Sequence, residues 1–258
     1  MIPRRRPALA ALSAAASAVL VLTGCEPGTL DDLAEDGGGA SGSAAGNGRW
    51  VSPLDNPEGT EPGLAPLTES AERAEARKLI EEVRTKGRGP RTGYDRDEFG
   101  YAWMDTADGV PLARNGCDTR NDLMRRDGQK LEFRSGSDCV VVSMTLADPY
   151  TGKDIAWKKQ DAMEVQIDHV VPLSYAWQMG ASRWPEDKRR QLANDPLNLL
   201  PVEGRANSAK GDSGPAAWLP PHKAVRCAYA VRFAQVAVEY EMPVTAPDKA
   251  IMLEQCGS

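Results

Sequence analysis

From Thr68 onward, apolar residues recur at helical spacing. Ala71, Ala74, Leu79, Ile80 and Val83 predict a helix capped by Thr68 or Ser70 and closed by Gly87. Val140–Val142 and Glu164–Ile167 predict strands, the second alternating in and out. Pro185 to Ala193 predicts a short helix, Asn198 to Val202 a buried strand, and Gly204 to Lys210 the start of another helix. Val225, Tyr229, Phe233, Val236 and Tyr240 then mark a long amphipathic helix from Ala224 to Tyr240. Helices and short strands mix without a βαβ rhythm or an internal repeat, so the expected class is α+β.

Ahead of Thr68 this patterning stops. Arg4-Arg5-Arg6 and the apolar run Pro7 to Leu22 read as an export signal, too short for the roughly 20 residues of a membrane span. The run ends in Leu22-Thr23-Gly24-Cys25, which resembles a bacterial lipobox and implies a lipid on Cys25. A plain signal peptide with an incidental cysteine is the alternative. Gly37–Gly39, Ser41–Gly48 and prolines 53, 57, 62 and 66 give residues 25–66 the character of a flexible tether. The expected organisation is a signal peptide over 1–24, an acidic tether over 25–66 and one folded domain over 67–258.

Composition changes this picture in two places. The 258 residues carry a net charge of −6, which argues against a nucleic-acid binder until the acids are located. Residues 26–62 hold eight acids against Arg49 alone, so the folded part is nearly balanced and net charge decides nothing about its partner. Mean hydropathy of −0.46 excludes a polytopic membrane protein. Two histidines exclude a multi-histidine metal site.

Five cysteines are too few for a disulfide-dense scaffold, but an exported chain meets an oxidising compartment in which they pair. Beyond Cys25 they are Cys117, Cys139, Cys227 and Cys256, which allow three connectivities. The pairs Cys117–Cys139 and Cys227–Cys256 are favoured because each closes a local loop, each contributing ~3 kcal/mol. No pair has the CxxC spacing of a zinc site.

The chemistry concentrates in Val165-Gln166-Ile167-Asp168-His169-Val170-Val171-Pro172-Leu173, followed by Asn194-Asp195-Pro196-Leu197-Asn198 and Asn207-Ser208-Ala209-Lys210. Phosphodiester hydrolysis needs a base for water and a cation beside the phosphate. A neutral imidazole is such a base, and a carboxylate with an amide oxygen suits a hard cation. Lys210, one helical turn after Asn207, is placed to reach the same phosphate. The plainer reading has Asp168-His169 capping a strand, Asn198 in a turn and Lys210 on a solvated face. Gly211-Asp212-Ser213-Gly214-Pro215 nearly spells a trypsin-like serine motif, but His169 lies too close upstream for a two-barrel protease.

At these residues the sequence resembles the HNH, or ββα-metal, endonucleases. The order Asp168-His169, Asn198, Asn207 and Lys210 is similar to the HNH variant of CRISPR effector nucleases. Over roughly Thr92 to Cys256 the chain resembles the C-terminal domain of GmrSD-type restriction enzymes and exported actinobacterial HNH nucleases. That stretch includes Gly116–Asn121, Asp148–Gly152 and Trp218–Pro221. The resemblance implies a ββα core with additional helices, His169 as general base and Asp168 with Asn207 as metal ligands. It also implies Asn198 as the residue holding the histidine loop and Lys210 near the phosphate. Extra metal-binding histidines of colicin-type enzymes are absent, which favours Mg2+ or Mn2+.

The expected activity is endonucleolytic cleavage outside the cytoplasm. DNA is favoured over RNA, with low sequence specificity and no obligate protein partner. Lys188, Arg189, Arg190, Arg205 and Lys210 would form a basic stripe, or Lys188–Arg190 only a solvated helix face. Arg120 would contact phosphate or pair with Asp118 or Asp122. His222, after Pro220-Pro221, reads as structural or exposed. The alternative from another class is a non-catalytic cell-surface binding lipoprotein on the same scaffold.

Overall fold

Two small antiparallel sheets and seven α-helices make up residues 50–257, the part of the chain that the computed structural model describes. The export signal, Cys25 and the first half of the tether lie outside those residues. Helices α1 (Ser70–Glu82) and α2 (Thr119–Asp127) precede strands β1 (Gly128–Phe133), β2 (Val141–Ala147) and β3 (Asp154–Lys158), which form one sheet in that order. Strand β4 (Val165–His169) leads to α3 (Leu173–Met179) and α4 (Glu186–Asn194). The chain then returns as β5 (Leu199–Glu203), antiparallel to β4, and runs directly into α5 (Gly204–Lys210). Helices α6 (Arg226–Glu239) and α7 (Ala246–Gln255) follow. The class is α+β, and β4–β5–α5 is the ββα unit.

Period-two alternation explains how that unit is built. Val165, Ile167 and Leu199 face one way, into a cluster with Leu123, Met144 and Trp157. Asp168 pairs across to Leu200 and Gln166 to Val202, and this opposite face packs on α5 and the main core. The turn into α5 is tight: a Cβ on Gly204 would collide with the Met163 carbonyl, so only glycine fits there. The Glu203 carboxylate then accepts from the Ala206 N–H at 2.6 Å and caps the helix. Gly211, at φ 51°, ends it.

Helix α6 is the centre of the main core, with ten of its fourteen residues buried. A disulfide from Cys227 to Cys256, Cα atoms 4.8 Å apart, ties its start to the end of α7. A second, Cys117–Cys139, Cα atoms 5.3 Å apart, joins the start of α2 to the turn before β2. Both are the locally closing pairs.

Three expectations need correction. The α1 cap is Glu69, in a reciprocal capping box with Glu72, and neither Thr68 nor Ser70 caps it. The helix ends before Val83, not at Gly87, because Thr85 bridges Val244 and the Lys86 N–H bonds its carbonyl. The third concerns residues 50–66, expected to be tether but folded against the domain. Trp50 Nε1–H donates to the Ala147 carbonyl at 3.1 Å, Gly63 N–H to Asp127 at 2.7 Å, and Gln235 to the Pro53 carbonyl at 2.6 Å. Leu64 and Leu67 are buried, and the buried Arg126–Asp127 pair pins the strap through the Gly59 carbonyl. Polar backbone bonding, rather than apolar periodicity, holds this segment.

Leu64→Ala removes a fully buried side chain and should cost about 2–5 kcal/mol in urea denaturation. A loss within about 0.5 kcal/mol would mean the strap is not part of the folded unit.

Candidate active site

His169 ends β4, and its position is fixed from three sides. Asn198 lies fully buried just before β5, where its backbone carbonyl accepts from Val170 N–H and its side-chain oxygen accepts from Val171 N–H, both at 2.8 Å. Its amide donates to the carbonyls of Leu192 at 3.1 Å and Val171 at 3.3 Å. The chain leaving His169 is therefore clamped to the chain entering β5. The imidazole Nε2 lies 3.0 Å from the Ala193 carbonyl, in the last turn of α4. A carbonyl only accepts, so Nε2 carries the proton and Nδ1 presents its lone pair. Trp103 stacks over the ring, centroids 6.1 Å apart and planes 13° off parallel.

Burial holds the His169 pKa down to about 3, helped by the positive charges of Arg96 and Lys210 and opposed by the Ala193 bond. The imidazole is thus neutral at physiological pH. In front of it lies a narrow cavity of about 10 Å3, the size of a single water, lined by Arg96, Tyr101, Trp103, Leu173 and Asn194.

On the other face of β4, Asp168 is 5% exposed. Its Oδ1 accepts from Lys210 Nζ at 2.9 Å and its Oδ2 from the Tyr150 hydroxyl at 2.5 Å. Lys210 Nζ also donates to the His169 carbonyl at 2.8 Å. Burial pushes the carboxyl up and the ammonium down, each opposed by the other's charge. Lys210, expected near a phosphate or on a solvated face, points inward and ties α5 to β4. Asn207 Nδ2 donates to Gln166 Oε1 at 2.8 Å, which directs its own amide oxygen away from that contact.

The remaining candidates scatter. Arg120 donates to the Val165 carbonyl at 3.3 Å and braces the start of β4. Arg205 is exposed on α5 and lines an open groove with Lys153 and Gln166. The stripe on α4 is largely neutralised, since Arg189 pairs with Glu98 and Arg190 with Glu186, while Lys188 lies over Trp184. His222 is half-buried beside Trp50, its backbone N–H bonded to the Tyr150 carbonyl at 2.9 Å. Arg96, Tyr101 and Trp103 were not singled out by the sequence, because their segment has no periodicity and meets His169 only through the fold.

A model of the family described as GmrSD restriction endonucleases, C-terminal domain, matches residues 118–255, which span both sheets, His169, Asn198 and Lys210. The chain belongs to the GmrSD C-terminal domain family. It is also 37% identical over 186 residues to an uncharacterized secreted protein of Arthroderma benhamiae, covering 70% of this chain and 84% of that one. No solved structure matches it. The GmrSD domain has HNH-type nuclease character, and HNH nucleases generally use a divalent metal.

Among the described residues of this GmrSD domain, no three His, Cys, Asp or Glu side chains gather around a point. The donor chemistry of Asp168 and Asn207 nevertheless fits a hard cation: both offer oxygen, and Asp168 already holds the positive charge of Lys210. A divalent ion at Asp168 would have to displace that ammonium.

Asn198→Ala leaves the buried Val171 N–H without its partner and should cost about 1–3 kcal/mol by urea denaturation. For His169, the unfolded chain takes up a proton near 6.5 and the folded chain only near 3. The unfolded state therefore binds more protons in that window, and the group's stabilising contribution is full above the window and lost as pH falls through it. Wild type should lose more stability than His169→Gln between about pH 7 and about pH 5. Equal losses would place the imidazole in solvent.

Proposed function

We propose that the protein is an HNH-type endonuclease hydrolysing phosphodiester bonds of nucleic acid, with His169 as general base. The observation that carries this reading is the neutral imidazole whose Nδ1 is free while Nε2–H is held by the Ala193 carbonyl, on a ββα frame. A water in the adjoining cavity gives its proton to Nδ1 as its oxygen attacks phosphorus. The bond to the 3′ oxygen breaks and that oxygen takes a proton from solvent water, leaving 5′-phosphate and 3′-hydroxyl ends. The Ala193 carbonyl steadies the imidazolium that forms, and the Asn198 clamp keeps the ring from turning away. Asp168 and Asn207 would hold Mg2+ or Mn2+ in place of the Lys210 ammonium, and the ion would supply positive charge at the end of β4.

DNA of any sequence is the proposed substrate. Arg205 along the groove offers backbone contact, while no helix-turn-helix or zinc finger stands among the described residues to read bases. Arg120 acts by bracing β4. The disulfides and the relative described as secreted support work outside the cytoplasm, and Leu22–Cys25 supports a lipid anchor on Cys25.

The test incubates the oxidised full chain with supercoiled plasmid plus Mg2+, Mn2+ or EDTA. Metal-dependent nicking that falls about 100-fold or more in His169→Ala is expected. Nicking unchanged in the variant would remove His169 as the base. A folded chain that cleaves neither DNA nor RNA would leave the binding-lipoprotein reading.

A further inference from the structure

The segment from Arg96 to Trp103 lies ahead of the family match, yet it forms one wall of the His169 cavity. Its ends are anchored. Phe99 is buried against Tyr94 and Trp177, and Met104 N–H donates to Asn194 at 2.8 Å. Between these anchors Tyr101 stands 64% exposed, its hydroxyl 3.2 Å from the Thr106 hydroxyl, which steadies the ring. Among the described residues few large apolar side chains are so exposed, and of these Tyr101 alone lines the cavity before His169. Arg96 is exposed on the same wall and makes no ion pair among the described residues, while the α4 arginines do.

A free guanidinium and an exposed aromatic ring a few residues apart match the two chemical faces of a nucleotide. The cation takes a backbone phosphate, and the ring takes a base in a sequence-tolerant stack. A base can stack on a side chain only when its own face is free. His169 is 7% exposed at the end of a narrow cavity with room for one water, so a phosphate attacked by that water lies at the cavity mouth, between this wall and α4. An unpaired, pliable strand can bend its backbone inward while its neighbouring base lies on Tyr101. A duplex keeps its bases stacked on one another and offers Tyr101 nothing.

Resting on the nuclease reading above, we propose that Arg96 and Tyr101 form a subsite for an unpaired nucleotide beside the scissile phosphate, making single-stranded nucleic acid the preferred substrate. Arg96 holds the phosphate and Tyr101 the base, while Trp103 keeps the His169 ring in place.

The test is steady-state cleavage of a short fluorescent strand and of its duplex by the full chain with Mg2+ or Mn2+. Wild type, Tyr101→Ala, Tyr101→Phe and Arg96→Ala are compared, with thermal unfolding as a control for folding. Wild type should show the higher kcat/KM on the single strand. Tyr101→Ala should raise KM for that strand by about tenfold with kcat little changed, and Tyr101→Phe should restore it. Arg96→Ala should flatten the dependence of log KM on log salt by about 0.7. If wild type cleaves but Tyr101→Ala has an unaltered KM, or if the duplex is the better substrate, this subsite is wrong while the nuclease stands. If wild type cleaves neither strand form, the nuclease reading falls and the subsite with it.

Discussion

A charged pair inside the protein, Lys210 against Asp168, is the interaction on which the site depends. Both side chains are almost wholly out of water, and the pair is completed by the Tyr150 hydroxyl and the His169 carbonyl. Removing one member of such a pair leaves an uncompensated buried charge, which typically costs about 3–5 kcal/mol. The pair joins the last residue of α5 to the last two of β4, so helix and hairpin cannot separate without breaking it. It also sets the electrostatics, since any divalent ion coming to Asp168 meets an ammonium already there.

Around this tie, the two faces of β4 divide the work. Asp168 and Gln166 turn toward α5, and His169 turns toward α4 and the segment carrying Trp103. Adjacent residues on a strand point to opposite faces, so a motif reading Asp-His places its acid and its base on different sides by geometry alone. Asn198 reconciles them by fixing the point where β4 ends and the chain turns away.

Part of this was legible in the sequence. β4 alternates and α6 repeats in ways that apolar spacing exposes, β5 reads as a short buried run, and the locally closing cysteine pairs followed from proximity along the chain. Helix α3 left no such trace, because six of its seven residues are buried and it has no polar face. Strand β1, Gly-Gln-Lys-Leu-Glu-Phe, is a largely exposed edge with register shifts, and its few apolar residues give no clean period. The strap over 50–66 reads as a linker because proline, glycine and acids make it, yet Asp127, Ala147 and Gln235 bind its backbone and indole from far along the chain. In the site, residue types were legible but partners were not. Nothing in Lys210 announces that it turns inward to Asp168, nor in Trp103 that it covers His169.

Base catalysis at this site needs one protonation state, a neutral His169 with its proton on Nε2. Long-range proton–nitrogen correlation spectra of the nitrogen-15-labelled chain at neutral pH report it directly, and with two histidines the assignment needs only His222→Gln. The expected spectrum is that of a neutral imidazole protonated at Nε2, with Nδ1 bare. An imidazolium, or a ring protonated at Nδ1, would leave the water without a base and contradict it.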